Sequence, residues 1–288
     1  MKLSEHVDKL RVLIEAAFDK QFARLGIGKT KLIEAEKLPE EIRDKRERYE
    51  NILKNHIGET GDYISARIKL IDELTFTLFN RLAAIKVMEA ATLFPPILTK
   101  QAEHGDRSFG HKAWLEMNPF MRSEDLEGIR EYLKAAFDEL GEELPLYSKS
   151  YPYALLPDPF SLNEIIEAFN DIEKDSQVGE NIWKSDDVLG WMYESYNEKK
   201  KQQHKDSKEK TEYNKVSLQS QVYTPRWVVQ FLVENSLGKL YLEMYPDSEI
   251  AQRYKIANAP ETQERIPKDL HEIKVIDPAC GSGNFLLY

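Results

Sequence analysis

The stretch Val275-Ile276-Asp277-Pro278-Ala279-Cys280-Gly281-Ser282-Gly283-Asn284-Phe285-Leu286 admits few local folds. Val275 and Ile276 are β-branched and apolar, and they read as the end of a buried strand. Gly281-Ser282-Gly283 is a turn that needs residues tolerant of positive φ. Asn284-Phe285-Leu286-Leu287 then opens an apolar helix. Strand, glycine turn and helix N-terminus together make a cradle. Small residues let a ligand approach the backbone, and free N–H groups at the helix start donate to a negatively charged group. The spacing is neither the dinucleotide G-x-G-x-x-G nor a P-loop, since no Gly-Lys-Ser/Thr follows. An Asp-Pro ahead of the turn suits a ligand with an amino group and a carboxylate but no phosphate.

S-adenosylmethionine is such a ligand. Asp277-Pro278-Ala279-Cys280-Gly281-Ser282-Gly283-Asn284-Phe285-Leu286 resembles the cofactor-binding motif I of N6-adenine DNA methyltransferases of the restriction–modification type. Upstream, Gln221-Val222-Tyr223-Thr224-Pro225-Arg226-Trp227-Val228-Val229 resembles motif X of the same enzymes, which in one subclass sits just before motif I. The resemblance implies S-adenosylmethionine as cofactor. It also implies Tyr223, Thr224, Pro225, Asp277, Pro278, Ala279, Gly281, Gly283 and Asn284 as the residues that bind it. Asp277 would offer a negative partner to its amino group, and Tyr223-Thr224-Pro225 backbone and hydroxyl groups to its methionine end. On the residues alone, Thr224 and Pro225 read equally well as a sharp helix start, N-cap and first helical position. That helix runs from Arg226 to Leu237 and is closed by Gly238. Cys280 reads as a small packing residue.

Two further strings narrow the resemblance. Leu78-Phe79-Asn80-Arg81-Leu82-Ala83-Ala84-Ile85-Lys86-Val87-Met88-Glu89 and Val188-Leu189-Gly190-Trp191-Met192-Tyr193-Glu194-Ser195-Tyr196 resemble helices of the large methyltransferases of BREX phage-defence systems, the PglX family. The chain is thus similar to the N-terminal part of a site-specific DNA (adenine-N6)-methyltransferase. In that family the target adenine is flipped from the duplex and held by an Asn/Asp-Pro-Pro-Tyr/Phe motif. Asn118-Pro119-Phe120 and Asp158-Pro159-Phe160 come nearest, and each lacks the second proline. Asp158 keeps a small weight, because circularly permuted relatives place the catalytic motif ahead of motif X. In the commoner order that motif is expected beyond Tyr288, together with the ribose-binding acid about 20 residues after the glycine turn. No catalytic residue is therefore assigned, and the chain alone is expected to be inactive. Two alternatives remain: a fragment of a type IIG restriction–modification enzyme, or a non-enzymatic helical interaction module with a vestigial cofactor motif. The nuclease of the former needs an acid followed by Glu-x-Lys. Asp158 with Glu198-Lys199-Lys200 fits only formally, being too far apart.

Charge bears on partners. A net charge of -10 argues against a protein that coats nucleic acid generally, which would be basic, though not against a local basic groove. Double-stranded DNA is the partner implied for the full-length protein, with other phage-defence proteins beside it. Arg43, Lys45, Arg46 and Arg48 would meet phosphates, or form a solvated face with i,i+4 ion pairs. The lysine run from Lys199 to Lys215 has the same two readings. His104 and His111 have no cysteine or carboxylate cluster at ligand spacing, so no metal is expected. Cys280 is the only cysteine, which suits a reducing compartment. Without a signal core or an apolar run long enough to span a bilayer, no membrane contact and a cytoplasmic location are expected.

The expected fold class is mainly α: a helical N-terminal domain, then the truncated start of a Rossmann-like methyltransferase domain. The boundaries are 1–200 for the helical domain, 201–220 for a charged linker or helix tail, and 221–288 for the start of the methyltransferase domain. Apolar residues at helical spacing place helices over Leu3–Leu25, beyond Pro39 to Gly58, over Asp62–Phe94 and over Ser123–Leu140, with further helices from Ser161 and Asp186. The helix from Asp62 is the most apolar, is read as the buried centre of the bundle, and ends at Pro95-Pro96. Asn80 and Arg81 within it read as a buried hydrogen-bonding pair. Ser161 and Glu164 make a capping box, with Phe160 and Ile165 placed for a hydrophobic staple. Tyr147, Tyr151 and Tyr153 read as packing for a proline-rich connector, or as a surface on which bases stack.

Overall fold

The computed structural model describes residues 1–207, 223–257, 265–281 and 283–288. Gln221, Val222, Ser282 and the lysine-bearing stretch from 208 to Lys215 lie outside the described residues, as do the side chains of Lys199 and Lys200. The chain divides into two compact units, Met1–Lys184 and Ser185–Tyr288. The sequence-based division at 200/201 runs instead through a helix, Val188–Ser207. The fold is mainly helical, and the one sheet described has two short strands. No helix among the described residues is long and apolar enough to cross a membrane.

The first unit is built on α3 (Tyr63–Ala90), against which α1 (Leu3–Arg24), α2 (Glu40–Thr60) and α6 (Pro159–Lys174) pack. The apolar stripes meet there: Leu10, Ile14, Phe18 and Phe22 of α1, Leu70, Leu74, Leu78 and Leu82 of α3, and Leu162, Ile166 and Phe169 of α6 are all buried. Phe79 and Phe169 bring their ring centroids to 5.8 Å. Asp62 caps α3 by accepting from the Ser65 amide at 2.9 Å. Not all of α3 is buried, however. Ile64 and Ile68 are exposed because the inward stripe passes through Ala66, Leu70 and Leu74. The helix also ends at Ala90, before Pro95 is reached. Thr92 adopts a φ of 58°, and the Glu89 carboxylate collects the amides of Ile97 and Thr99 at 2.6 and 3.2 Å.

Arg81 and Asn80 do not pair. Arg81 is buried and donates from Nε to the Leu146 carbonyl at 2.7 Å, with its guanidinium over the rings of Phe137, Tyr147 and Tyr151. Asn80 donates to the Phe76 carbonyl one turn back. Tyr147 donates to the Arg81 carbonyl at 2.7 Å, and Tyr153 stacks on His56 with 6.0 Å between centroids. These tyrosines pack the connector onto α2 and α3. On α2 the arginines serve the fold: Arg43 donates to the Leu38 carbonyl, Arg46 to those of Ile33 and to Glu50, and Arg48 to the carbonyls of Lys149 and Tyr151.

Between α3 and α6 lie the antiparallel pair β1 (Lys100–Gln101) and β2 (Arg107–Ser108), then α4 (Phe109–Met117) and α5 (Ile129–Leu140). Helix α5 starts later than Ser123 because Leu126, Glu127 and Gly128 turn the chain through three successive left-handed conformations (φ 49°, 54° and 65°). Arg107 clamps the Glu127 carboxylate through Nε and Nη2, while His111 Nε2 lies 2.9 Å from the Glu127 carbonyl. Burial pushes His111 below the ordinary histidine range, and its ring stacks on Tyr132 at 4.9 Å.

Helix α6 corrects the expected cap. Asp158, not Ser161, is the N-cap; its carboxylate accepts from the Ser161 amide at 3.3 Å and the Ser161 hydroxyl at 2.7 Å. Pro159 takes the first helical position, and Phe160 is exposed, so no staple forms. Lys20 and Arg24 of α1 stand 3.6 and 3.5 Å from the same carboxylate, a long-range preference that local spacing does not show. Burial pushes the Asp158 carboxyl up, but the Ser161 hydrogen bonds and the two cations outweigh it and hold it below the usual range. Asp158→Ala is expected to cost about 1 kcal/mol, a typical capping loss. Because the folded-state pKa is depressed, this contribution is present above the unfolded-state pKa and fades as pH falls through the folded value. Denaturant unfolding of wild type and variant across that acidic range checks both statements.

The second unit contains α7 (Val188–Ser207), α8 (Arg226–Val233), a π-helical segment Glu234–Gly238 and α9 (Lys239–Met244). Three expectations are corrected here. Gly238 does not close the helix; it has helical φ and ψ of −60° and −45°, and the chain continues into α9. Its glycine is needed because a Cβ would meet the Tyr254 ring at 2.5 Å. Thr224 does not cap α8 either: the N-cap is Pro225, with no side-chain hydrogen bond. Val275 and Ile276 are exposed and form no strand. A strand persists only where its N–H and C=O groups find a neighbouring strand, and the only sheet described is β1–β2 in the first unit.

Candidate cofactor site

Asp277 opens the glycine turn. Its Oδ1 accepts from the Ala279 amide at 3.0 Å, an Asx-turn that sets the direction of Pro278 and Ala279. Its Oδ2 is buried and has no hydrogen-bond partner among the described residues. Gly281 and Gly283 have φ of 55° and 80°, the left-handed conformations that the sequence requires of them. The Gly283 amide donates to the Cys280 carbonyl at 2.8 Å. A Cβ built on Gly283 meets nothing within 4 Å, and one on Gly281 meets only the Ala279 carbonyl oxygen at 3.8 Å. The space beside this backbone is open. After the turn, the amides of Leu286 and Leu287 both donate to the Gly283 carbonyl at 2.9 Å. In place of the expected apolar helix, residues 283–286 form a hydrogen-bonded turn. Cys280 is exposed rather than packed.

The two motif segments meet at Asn284, which is buried. Its Nδ2 donates to the Thr224 carbonyl at 2.7 Å, across 60 residues of chain. The Tyr223 hydroxyl donates to Asp187 Oδ1 at 2.6 Å and reaches Asn284 Oδ1 at 3.1 Å. Burial and the Asp187 carboxylate together push the Tyr223 phenol well above its ordinary pKa, so it stays a neutral donor. Pro225 supplies the first helical acceptor, taking the Val228 amide at 2.9 Å. Asn284 is thus hydrogen-bonded to Thr224 and lies beside the Tyr223 hydroxyl. Asp277 and Ala279 are bonded locally, with one carboxylate oxygen left over.

Four neighbours escaped the sequence reading. Asp187 holds Tyr223, and Arg226 lies 3.7 Å from the same Asp187 oxygen and 3.4 Å from Asp186. Arg226 also covers the Tyr288 ring at 4.8 Å. Glu234 is buried and accepts from Gln230, the Lys255 amide and Tyr288 at 2.9, 2.9 and 2.8 Å. Burial acts to raise its carboxyl, but those donors outweigh it and hold it below the usual range; burial and Glu234 push Tyr288 up to about 12. Gly190, inside α7, carried the one available signal. Glycine in a helix interior costs about 1 kcal/mol, and here it makes room: a Cβ would sit 1.9 Å from the Tyr223 ring.

The donor set fits the group that the motifs imply. An unpartnered buried carboxylate oxygen is what a ligand's ammonium group would take, and two left-handed glycines beside open space permit close approach to the backbone.

No family model matches the chain. Two curated proteins are similar to it. The adenine-specific methyltransferase BrxX of Escherichia coli O9:H4 (strain HS) is 29% identical over 256 residues, covering 75% of this chain and 20% of that protein. The adenine-specific methyltransferase PglX of Lacticaseibacillus casei (strain Zhang) is 25% identical over 281 residues, covering 81% of this chain and 22% of that protein. The chain is related to these adenine-specific methyltransferases and spans about a fifth of their length.

Proposed function

We propose, from its relationship to the adenine-specific methyltransferases, that this chain is the N-terminal part of an S-adenosylmethionine-dependent, site-specific DNA (adenine-N6)-methyltransferase of a BREX phage-defence system. The observation that carries the reading is the junction at Asn284. Two segments that resemble motifs of one cofactor site are hydrogen-bonded to each other although they lie far apart in the chain. Asp277 would take the cofactor's amino group on its free Oδ2, and Gly281 and Gly283 would let the ligand lie against the backbone. Tyr223, Thr224 and Pro225 would flank the methionine end, with Pro278, Ala279 and Asn284 shaping the turn. When bound, S-adenosylmethionine supplies an electrophilic methyl group. This chain's residues bind and orient it, and they leave the handling of the adenine to another segment. Double-stranded DNA, and other proteins of the defence system, are partners of the whole protein, acting in the cytoplasm.

Incubating the full-length protein with unmethylated duplex DNA and tritiated-methyl cofactor tests this. Label is expected in N6-methyladenine, and none above the blank from residues 1–288 alone. Absence of labelled adenine with the full-length protein overturns the reading. Transfer by the 288-residue chain alone would place the catalytic motif inside it.

A further inference from the structure

We infer that Asp187 is a positioning residue of the cofactor site, acting through the hydroxyl of Tyr223. The inference rests on the cofactor reading above and extends the site to α7, where motif X and motif I place nothing. Asp187 is buried at the start of that helix, and its Oδ1 receives the Tyr223 hydroxyl at 2.6 Å. A hydrogen bond to a carboxylate is shorter and roughly twice as strong as one between neutral groups. The same oxygen lies 3.7 Å from the Arg226 guanidinium, so one carboxylate gathers α7, the segment before α8 and α8 itself.

A second feature of α7 serves the same tyrosine. The Tyr223 ring lies against the bare backbone of Gly190, so close that a Cβ would overlap it at 1.9 Å. Ring and hydroxyl are therefore both placed by α7, three residues apart in sequence. With Tyr223 held, the adjacent Thr224 carbonyl is placed to accept from Asn284 Nδ2 at 2.7 Å, while the phenol oxygen, its one proton directed chiefly to Asp187, lies 3.1 Å from Asn284 Oδ1. Asn284 follows Gly283 directly, so the orientation of its amide sets where the glycine turn leaves off. Asp187 thereby fixes the distance between the two halves of the site without touching the ligand.

The test uses the full-length protein and its Asp187→Ala, Asp187→Asn, Tyr223→Phe and Asp187→Ala/Tyr223→Phe variants. Calorimetric titration with S-adenosylmethionine gives affinity. Amide hydrogen exchange in the cofactor-free proteins reports the turn directly, at Leu286 and Leu287. Asp187→Ala is expected to weaken cofactor binding roughly tenfold, the scale of one lost charge-assisted hydrogen bond, and to speed exchange at those two amides. Asp187→Asn keeps a carbonyl oxygen for the phenol and should restore most of both. In the Tyr223→Phe background, Asp187→Ala should add nothing, since the bond through which it acts is already gone. Equal losses in both backgrounds, or no loss in either, overturn the inference. A wild-type protein with no affinity for the cofactor overturns the cofactor reading instead. The exchange arm then judges the Asp187–Tyr223–Asn284 link by itself, and unchanged exchange in Asp187→Ala overturns that link.

Discussion

Asp277→Ala in the full-length protein lowers affinity for S-adenosylmethionine about ten- to a hundred-fold. Of the two carboxylate oxygens, Oδ1 is occupied by the Ala279 amide and Oδ2 is buried without a partner among the described residues. An acceptor held in that state costs free energy until a donor arrives. A charge-assisted hydrogen bond to the ligand's ammonium group is worth about 1.5–3 kcal/mol, which converts to the affinity loss stated. Gly281→Val acts on the backbone instead. At a φ of 55° a β-branched residue pays about 1–2 kcal/mol for the left-handed conformation, and its side chain fills the open space through which the ligand approaches. Binding should then fall below detection while the first unit stays folded. Cys280→Ala is expected to be silent, because the thiol is free and exposed. Calorimetric titration of the three variants decides it. Unchanged affinity in Asp277→Ala, or a loss confined to Cys280→Ala, means that the turn has been misread.

Lys86→Ala destabilises the first unit by about 3 kcal/mol. Lys86 sits in α3 with its side chain 1% exposed, and its ammonium group donates to Thr99 Oγ1 at 2.5 Å, Asn170 Oδ1 at 3.1 Å and Glu173 Oε1 at 3.0 Å. It thus ties the loop after α3 to α6. Removing one partner of a buried ion pair costs about 3–5 kcal/mol because the other charge is stranded. Glu173 is 27% exposed and can recover some hydration, which puts the loss at the lower end of that range. Lys86→Met keeps the aliphatic stem in place and should cost less than Lys86→Ala. Guanidinium unfolding of the two variants measures the difference. A loss below about 1 kcal/mol in Lys86→Ala would show that hydration compensates the stranded groups.

What the sequence determined by itself was local. The helical spacing of Leu10, Ile14 and Phe18, and of Leu70, Leu74 and Leu78, specifies which faces turn inward, because burying an apolar stripe is the only favourable use of it. Gly281 and Gly283 were legible as left-handed positions, since only glycine takes that backbone freely. Motif order sufficed to place the chain beside the adenine-specific methyltransferases. Choices between equally good local options were made by the tertiary structure. Asp158 and Ser161 are both competent caps, and Lys20 and Arg24 from another helix favour Asp158. Gly238 is a plausible helix stop until the Tyr254 ring is found against it. Val275 and Ile276 have strand-forming side chains, but a strand is a property of a pair, and no partner strand stands beside them among the described residues of the second unit. The junction of Asp187, Tyr223 and Asn284 is the plainest case. Its hydrogen bonds, Tyr223 to Asp187 and Asn284 to Thr224, span 36 and 60 residues, and no spacing rule reaches so far, because such contacts depend on how whole helices are brought together rather than on the order of residues within any one of them.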